Sequence, residues 1–495
     1  MPKRLLSFLL LLASTSAAWG QITDFEKYKL QREQEMKKFE EKVTHDMDSL
    51  RSAHDKAFAK MLEGNWTREE LFPSKPVPEK PKPDTPPSFN PKEEKPEKDA
   101  PKIEIQEASI PDQPAPPKQE EEKPNSTLTD QSFGSAFQFQ SSVYFGNEWN
   151  MVNLKATWPT MQGNPDPNKI TAYWTACSNQ PYDKLIAYFQ AQRQLFALSD
   201  WGMYQLIEHT AKGNFKQQNN QNLFMWFNLV QMGYDVRIMY SDNQVVLTLP
   251  FDAMLYGKSY FAFGNNNYFV FDENHATSLY TYTSQHESAK KTFNLNNNTQ
   301  AKYPSQWEQR TFKFNFNGKE QVVALPYIKP RVQFHASIPQ TELDYYFGQP
   351  LATSFSEKLH EALDSRLAEL STEREKVRYL YALVCQSIPY KTDQDQFNHE
   401  KFCLPEEVLA YPFADCEDRT FLLNALLTEL IGIETIGLNY PGHVAMAVKL
   451  KDIHNSDALI QYNGNSYVYC DPTYIGADVG MMPACYNQQR PEVLR

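Results

Sequence analysis

Three residues in the last quarter of the chain, Cys416, His443 and Asp471, have the types needed for thiol-based acyl transfer. Cys416 sits in DCEDRTFLLNALLTELIG (415–432), a charged mouth followed by an apolar helical run. At the first position of a helix, unpaired N–H groups favour a thiolate and can also hold an oxyanion. Asp415 is predicted as N-cap, with Asp418 three residues on completing a capping box. Glu417 and Asp418 oppose the thiolate and Arg419 supports it, so a neighbouring imidazolium has to win the local balance.

His443 follows Tyr-Pro-Gly, a turn signal, and precedes VAMAVKL, which reads as a strand. Asp471 ends the strand SYVYC and is followed by Pro472, which cannot continue a ladder. The connection between the two strands is read as short and polar, with Asn463-Gly464 near its end. Antiparallel pairing sets the start of the first strand beside the end of the second. Asp471 can then hold one imidazole nitrogen while the other faces the thiol, the logic of a Cys-His-Asp triad. Taken singly, each residue has a structural explanation: a small buried filler, a core histidine, a turn aspartate. Their chain order and the strand geometry join them.

Several elements must position this set. EREKVRYLYALVCQSI (373–388) has apolar residues at helical spacing, and Pro389 ends it. A polar loop, KTDQDQFNHEKF, comes next. LATSFSEKLHEALDSRLAEL (351–370) reads as a helix opening the unit. TFKFNFNGKEQVVALPYI (311–328) reads as two strands joined at Asn317-Gly318.

The chain also repeats itself. GYDVRIMYSDNQVVLTLP (233–250) parallels GIETIGLNYPGHVAMAVK (432–449), and NNYFVFD (266–272) parallels NSYVYCD (465–471). Gly233, Gln244 and Asp272 precede Gly432, His443 and Asp471 by the same offset, 199 residues. The first copy has Gln217 and Gln244 where the second has Cys416 and His443, so it is expected to bind or pack rather than react.

Upstream, residues 22–64 are predicted as one helix with a sparse apolar stripe: Phe25, Tyr28, Met36, Phe39, Val43, Met47, Leu50, Phe58 and Leu62. The stripe suits a protein partner or a later domain; a solvated helix is the alternative. Residues 73–128 are Pro-, Lys- and Glu-rich without periodicity, and are expected to form a disordered spacer. Lys3 and Arg4, the apolar run Leu5–Ala13 and Ala18-Trp19-Gly20 make a signal peptide cleaved after Gly20. The expected organisation is residues 1–20 signal peptide, 21–70 amphipathic helix, 71–129 linker, 130–330 first unit and 331–495 second unit.

A net charge of −12 argues against a nucleic-acid or anionic-membrane surface. No other run is long enough to span a bilayer. Six cysteines at irregular spacing in an exported chain predict no disulfide framework and at most one or two bridges. No GxGxxG, Walker loop, HExxH or CxxC occurs, so no cofactor and no metal are expected. Cys416, His443 and Asp471 lack the short-range pairs of a zinc site.

The succession DCEDR, YPGHVAMAV and YVYCDPTYIG resembles the transglutaminase-like superfamily, relatives of papain-type cysteine peptidases. The resemblance covers about residues 350–495 and, through the repeat, residues 130–330 more weakly. It implies an α+β fold with the Cys-bearing helix packed on an antiparallel sheet, and a bacterial-type exported member whose first unit is a degenerate relative. It assigns Cys416 as nucleophile, His443 as general base and acid, and Asp471 as orienter. Gln386 or Tyr390, before the nucleophile, would help bind the oxyanion. The expected activity is a thiol-dependent amide hydrolase acting on a protein or peptide in the periplasm or outside the cell. A transglutaminase, with an amine replacing water, is one alternative. A non-catalytic binding or assembly protein that kept the fold is the other.

Overall fold

Among the described residues the first element is a 39-residue helix, α1 (Asp24–Leu62). The computed structural model describes residues 24–78, 86–89, 101–105, 138–144, 147–154, 158–272, 276–296, 300–304 and 306–495. The expected signal peptide therefore lies outside the described residues. The expected helix over 22–64 matches α1 closely, but its apolar stripe divides. Phe58 and Leu62 are buried, whereas Met36, Phe39, Val43, Met47 and Leu50 are exposed. Phe58 stacks edge-on to Trp174 and Tyr282. Burying such a side chain contributes about 2–3 kcal/mol. Asp55, one turn before Phe58, accepts from Tyr182 and Gln231, so the last two turns of α1 belong to the unit that follows.

Strand β1 (Trp66–Glu70) comes next, then β2 (Lys102–Ile105), β3 (Gln138–Tyr144) and β4 (Asn147–Asn153). Four helices follow: α2 (Pro167–Ser178), α3 (Tyr182–Phe196), α4 (Asp200–Asn214) and α5 (Gln218–Gln231). The first sheet is completed by β5 (Arg237–Tyr240), β6 (Val245–Phe251), β7 (Tyr260–Phe263), β8 (Asn266–Val270) and β9 (Ser278–Tyr282).

The second half opens with a hairpin, β10 (Trp307–Phe316) and β11 (Lys319–Ile328). Asn317 and Gly318 turn it with φ of 50° and 76°. Both values are positive, as a type I′ turn demands, which is why Asn-Gly is the turn signal there. Then come α6 (Lys329–Ser337), α7 (Leu343–Gly348), α8 (Thr353–Ala368), α9 (Glu373–Ser387), α10 (Asp393–Phe397), α11 (Pro405–Ala410) and α12 (Cys416–Ile431). The chain ends with β12 (Thr435–Tyr440), β13 (His443–Val448), β14 (Leu459–Tyr462), β15 (Asn465–Cys470), a 3₁₀ turn (Ala484–Tyr486) and β16 (Glu492–Leu494).

The two six-stranded sheets share one topology. Their orders are β1-β9-β5-β6-β8-β7 and β16-β12-β13-β15-β14-β2. Without β1 and β2, each runs fifth-first-second-fourth-third in chain order. Each is preceded by a helix, α5 or α12, packed across its second strand, β6 or β13. Both helices give way to a glycine with positive φ, Gly233 at 92° and Gly432 at 70°. The repeat read at a 199-residue offset thus corresponds to a duplicated helix-plus-sheet arrangement, and the fold is α+β.

Two expectations are corrected. The helical segment does not extend to residue 70, because β1 pairs antiparallel with β9. The expected linker is also not a free spacer throughout. Leu71 and Phe72 continue along the first sheet, and Phe89 donates its N–H to Ile475 O at 2.8 Å. Strand β2 pairs in parallel with β14, with Ile103 buried against the second sheet. KIEI alternates apolar and polar residues, enough for one edge strand, yet it is too short to stand out from its Pro-rich surroundings. The remainder of 73–128 lies largely outside the described residues.

Among the described residues no helix is long and apolar enough to cross a membrane. None of the six cysteines is in a disulfide; only Cys485 is exposed.

Candidate active site

The site begins at the N-terminus of α12, whose first three turns are buried from Cys416 to Leu427. The expected capping box is absent. The Asp415 side chain makes no cap hydrogen bond. Asp418 instead accepts the Cys403 N–H at 2.8 Å, which ties the helix to the segment entering α11. Burial, with Asp415 and Glu417 close by, pushes the Asp418 carboxyl well above the usual carboxylate range. The box failed because these acids face protein, where one carboxylate already serves a loop N–H.

Two bonds from the opening turn of α12 locate the rest. Thr420 Oγ1 donates to Val444 O, the residue after His443, at 3.2 Å. Arg419 Nη1 donates to Pro472 O, the residue after Asp471, at 3.2 Å. Arg419 is 1% exposed and also donates to Ile388 O at the end of α9. One buried guanidinium therefore joins helix, loop and strand end. Burial pulls Arg419 down and the charges of Asp415 and Asp471 hold it up.

β13 and β15 pair antiparallel with Met446 opposite Cys470. His443 at the start of β13 and Asp471 just past β15 thus meet at one end of the ladder, and His443 Nε2 lies 2.8 Å from Asp471 Oδ2. Asp471 also accepts the Thr473 N–H at 2.9 Å and the Tyr469 hydroxyl at 3.3 Å. Donors on both carboxylate oxygens fix its orientation. The connection between these strands differs from the reading: it holds β14, and Asn463-Gly464 makes the β14–β15 turn. The adjacency survives because β14 pairs on the far side of β15. His443 itself is placed by a two-residue turn, Pro441-Gly442, with Tyr440 paired to His443 and Gly442 at φ 80°. Pro then Gly in these two places is a type II signature.

Cys416, His443 and Asp471 are 1%, 1% and 2% exposed. The Cys416 thiol donates to Glu417 Oε2 at 3.1 Å. Tyr486 lies over His443, ring centroids 4.9 Å apart and planes 12° apart. Burial pushes the Tyr486 phenol upward, and Cys485, Asp471 and Cys416 add to the shift electrostatically. Helix start, imidazole, carboxylate and phenol therefore share one locality.

The two expected oxyanion residues separate. Gln386 is exposed on α9 and is committed to the β10–β11 hairpin. Its Nε2 donates to Asn315 O at 3.2 Å and its Oε1 accepts Asn315 N–H at 2.9 Å. Its helical face points to that hairpin, so a role at the thiol is not supported. Tyr390 is nearer: it bridges to Ala414, two residues before Cys416, and the Arg419 guanidinium carbon is 5.5 Å from its ring centroid.

Sequence reasoning missed other groups here. Asp393, Glu400, Asp415 and Glu417 bring ligand oxygens within 4.8 Å of one another. Among the described residues this group could hold a metal ion, and its hard oxygen donors suit Ca²⁺ or Mg²⁺. The stretch 391–402 and the start of α12 supply it, and no spacing motif marks it; the acid-rich loop before α11 was the available signal. Tyr486 sits in a tail without periodicity and carried no signal.

In the first unit the corresponding positions carry no thiol or imidazole. Gln217 is the N-cap of α5 without a side-chain cap bond. Gln244 falls in a four-residue turn between Tyr240 and Val245. Asp272 accepts from Asn222 Nδ2 at 2.9 Å.

No protein-family model, no curated protein and no solved structure matches this chain.

Proposed function

We propose that the chain is an exported thiol-dependent amide hydrolase of the transglutaminase-like, papain-related type. One observation carries the reading: a buried His443–Asp471 hydrogen bond of 2.8 Å, delivered beside the N-terminus of the helix that starts at Cys416. The thiol proton passes to His443, whose Nε2 is held by Asp471, and the sulfur attacks the amide carbon. The carbonyl electrons become an oxyanion. The Cys416, Glu417 and Asp418 N–H groups have no carbonyl four residues back inside the helix and suit that charge. As the C–N bond breaks, His443 returns its proton to the leaving amine. Water then attacks the thioester carbon, gives its proton to His443, and the thiol is released with an acid product. The substrate class is a protein or peptide. With an amine in place of water the same acyl-enzyme gives a transamidase.

Thiol alkylation of Cys416 followed against pH, in wild type and His443→Ala, tests this. Fast labelling below pH 7 that collapses in the variant supports an imidazole-activated thiolate. Labelling that rises only near the ordinary thiol value of about 8.5 removes the enzyme reading. Product analysis with and without an added primary amine separates hydrolysis from transamidation.

The near-complete burial of all three side chains, with Tyr486 roofing His443, favours a second reading: a binding or assembly protein that kept the fold. Unchanged function in Cys416→Ala would favour it.

A further inference from the structure

We propose that the projecting part of α1 pairs with the same helix of a second copy of this chain, antiparallel and centred on Val43. Met36, Phe39, Val43, Met47 and Leu50 are 43–63% exposed on an otherwise charged helix. At 100° per residue they fall within one narrow arc, about 80° wide. Phe58, Leu62 and Asp55, which enter the first unit, lie about 60–120° round from Val43, to one side of the arc, and the stripe residues stay exposed.

The stripe reads the same in both directions. From Val43, apolar residues occur four and seven positions away on each side. A two-fold axis through Val43 sets Phe39 against the partner's Met47, and Met36 against the partner's Leu50. Self-complementarity of this kind is what an isologous contact requires.

Charge selects the same partner. In an antiparallel pair each flank of the stripe faces its own counterpart. On one flank, Lys42 then meets Asp46 of the second copy. On the other, Glu33 meets Arg51. Each contact occurs twice by symmetry. Between them these residues carry no net charge, so a strongly basic or acidic partner has nothing to select. The contact spans about four helical turns and falls at the low end of interface sizes, so association in the micromolar range is expected.

The test uses the full chain with Cys485→Ser, which removes the exposed thiol. Sedimentation equilibrium should show a concentration-dependent dimer. Phe39→Glu with Met47→Glu should give a monomer with unchanged helicity by circular dichroism. Lys42→Glu should weaken the dimer by roughly two- to tenfold, and adding Asp46→Lys should restore it. Mixing Met36→Cys with Leu50→Cys chains should give the mixed disulfide, with little of either homodisulfide. A monomer at about 100 µM overturns the proposal, because a stripe serving another protein or a membrane leaves the chain alone in solution. Preferential Met36→Cys homodisulfides indicate a parallel pair and overturn the register.

Discussion

Tyr486 lies face to face with His443, with 4.9 Å between ring centroids and 12° between planes. The phenol belongs to a 3₁₀ turn between β15 and β16, while the imidazole opens β13. The stack covers one face of the His443 imidazole. Under the proposed mechanism, the turn at 484–486 is the element expected to govern access to the imidazole. Tyr486→Ala is expected to speed alkylation of Cys416 at a fixed pH without lowering the melting temperature by more than a few degrees. No change in labelling rate would show that access is controlled elsewhere.

The His443–Asp471 bond predicts a large effect from a small change. Asp471→Asn keeps the acceptor for the Thr473 N–H but loses the charge that favours an imidazolium. In triads this replacement costs on the order of 10⁴-fold in kcat. The expected pattern is a loss of that order with KM little altered. Peptide hydrolysis at substrate saturation reads it directly, and an unchanged kcat would remove Asp471 from the mechanism.

Glu417 Oε2 accepts the hydrogen bond of the Cys416 thiol at 3.1 Å. Glu417→Gln removes a negative charge beside the developing thiolate. The pH profile of Cys416 alkylation should shift toward lower pH than in wild type. A shift the other way would mean that Glu417 supports the thiolate through groups around it.

β2 gives the fold a strap that can be cut. Ile103 is buried where β2 adds to the edge of the second sheet. Ile103→Asp puts an unpaired charge into that contact, at a cost of several kcal/mol for the strap alone. Limited proteolysis within residues 101–105 should accelerate markedly, while the second sheet itself stays protected. Uniform acceleration across the chain would show that the strap is required for the unit to fold.

Glu406 links stability to pH. It is buried against Arg331, whose Nε is 2.9 Å away, yet burial outweighs that attraction and raises its carboxyl to about 7. A carboxyl raised in the native state binds its proton more tightly there than in the unfolded chain. Stability due to this group is therefore highest below about 4.5, falls as pH rises, and levels off above about 7. Glu406→Gln should match wild type near pH 5 and exceed it at pH 8 in urea unfolding. A variant weaker than wild type at pH 8 would mean the Arg331 pairing dominates.

Much of the site was readable one element at a time. Cys416 at a helix start, His443 after Pro-Gly and Asp471 before Pro472 are each set by local chemistry: a run of apolar residues, a turn preference, a missing N–H. The duplicated arrangement was readable for the same reason, since each copy repeats its own turn and strand signals at one spacing. Asn317-Gly318 determined the hairpin, because few residues adopt two consecutive positive φ values.

What tertiary structure alone decided is who meets whom. Asp418 left the predicted cap for the Cys403 N–H, Gln386 turned to the hairpin, and four acids from two segments converged beside the thiol. β2 was recruited from a Pro-rich stretch by an open strand edge more than 350 residues away. These outcomes rest on contacts between segments remote in sequence. Such contacts depend on the space left by packing, and no local pattern of residue types encodes that space.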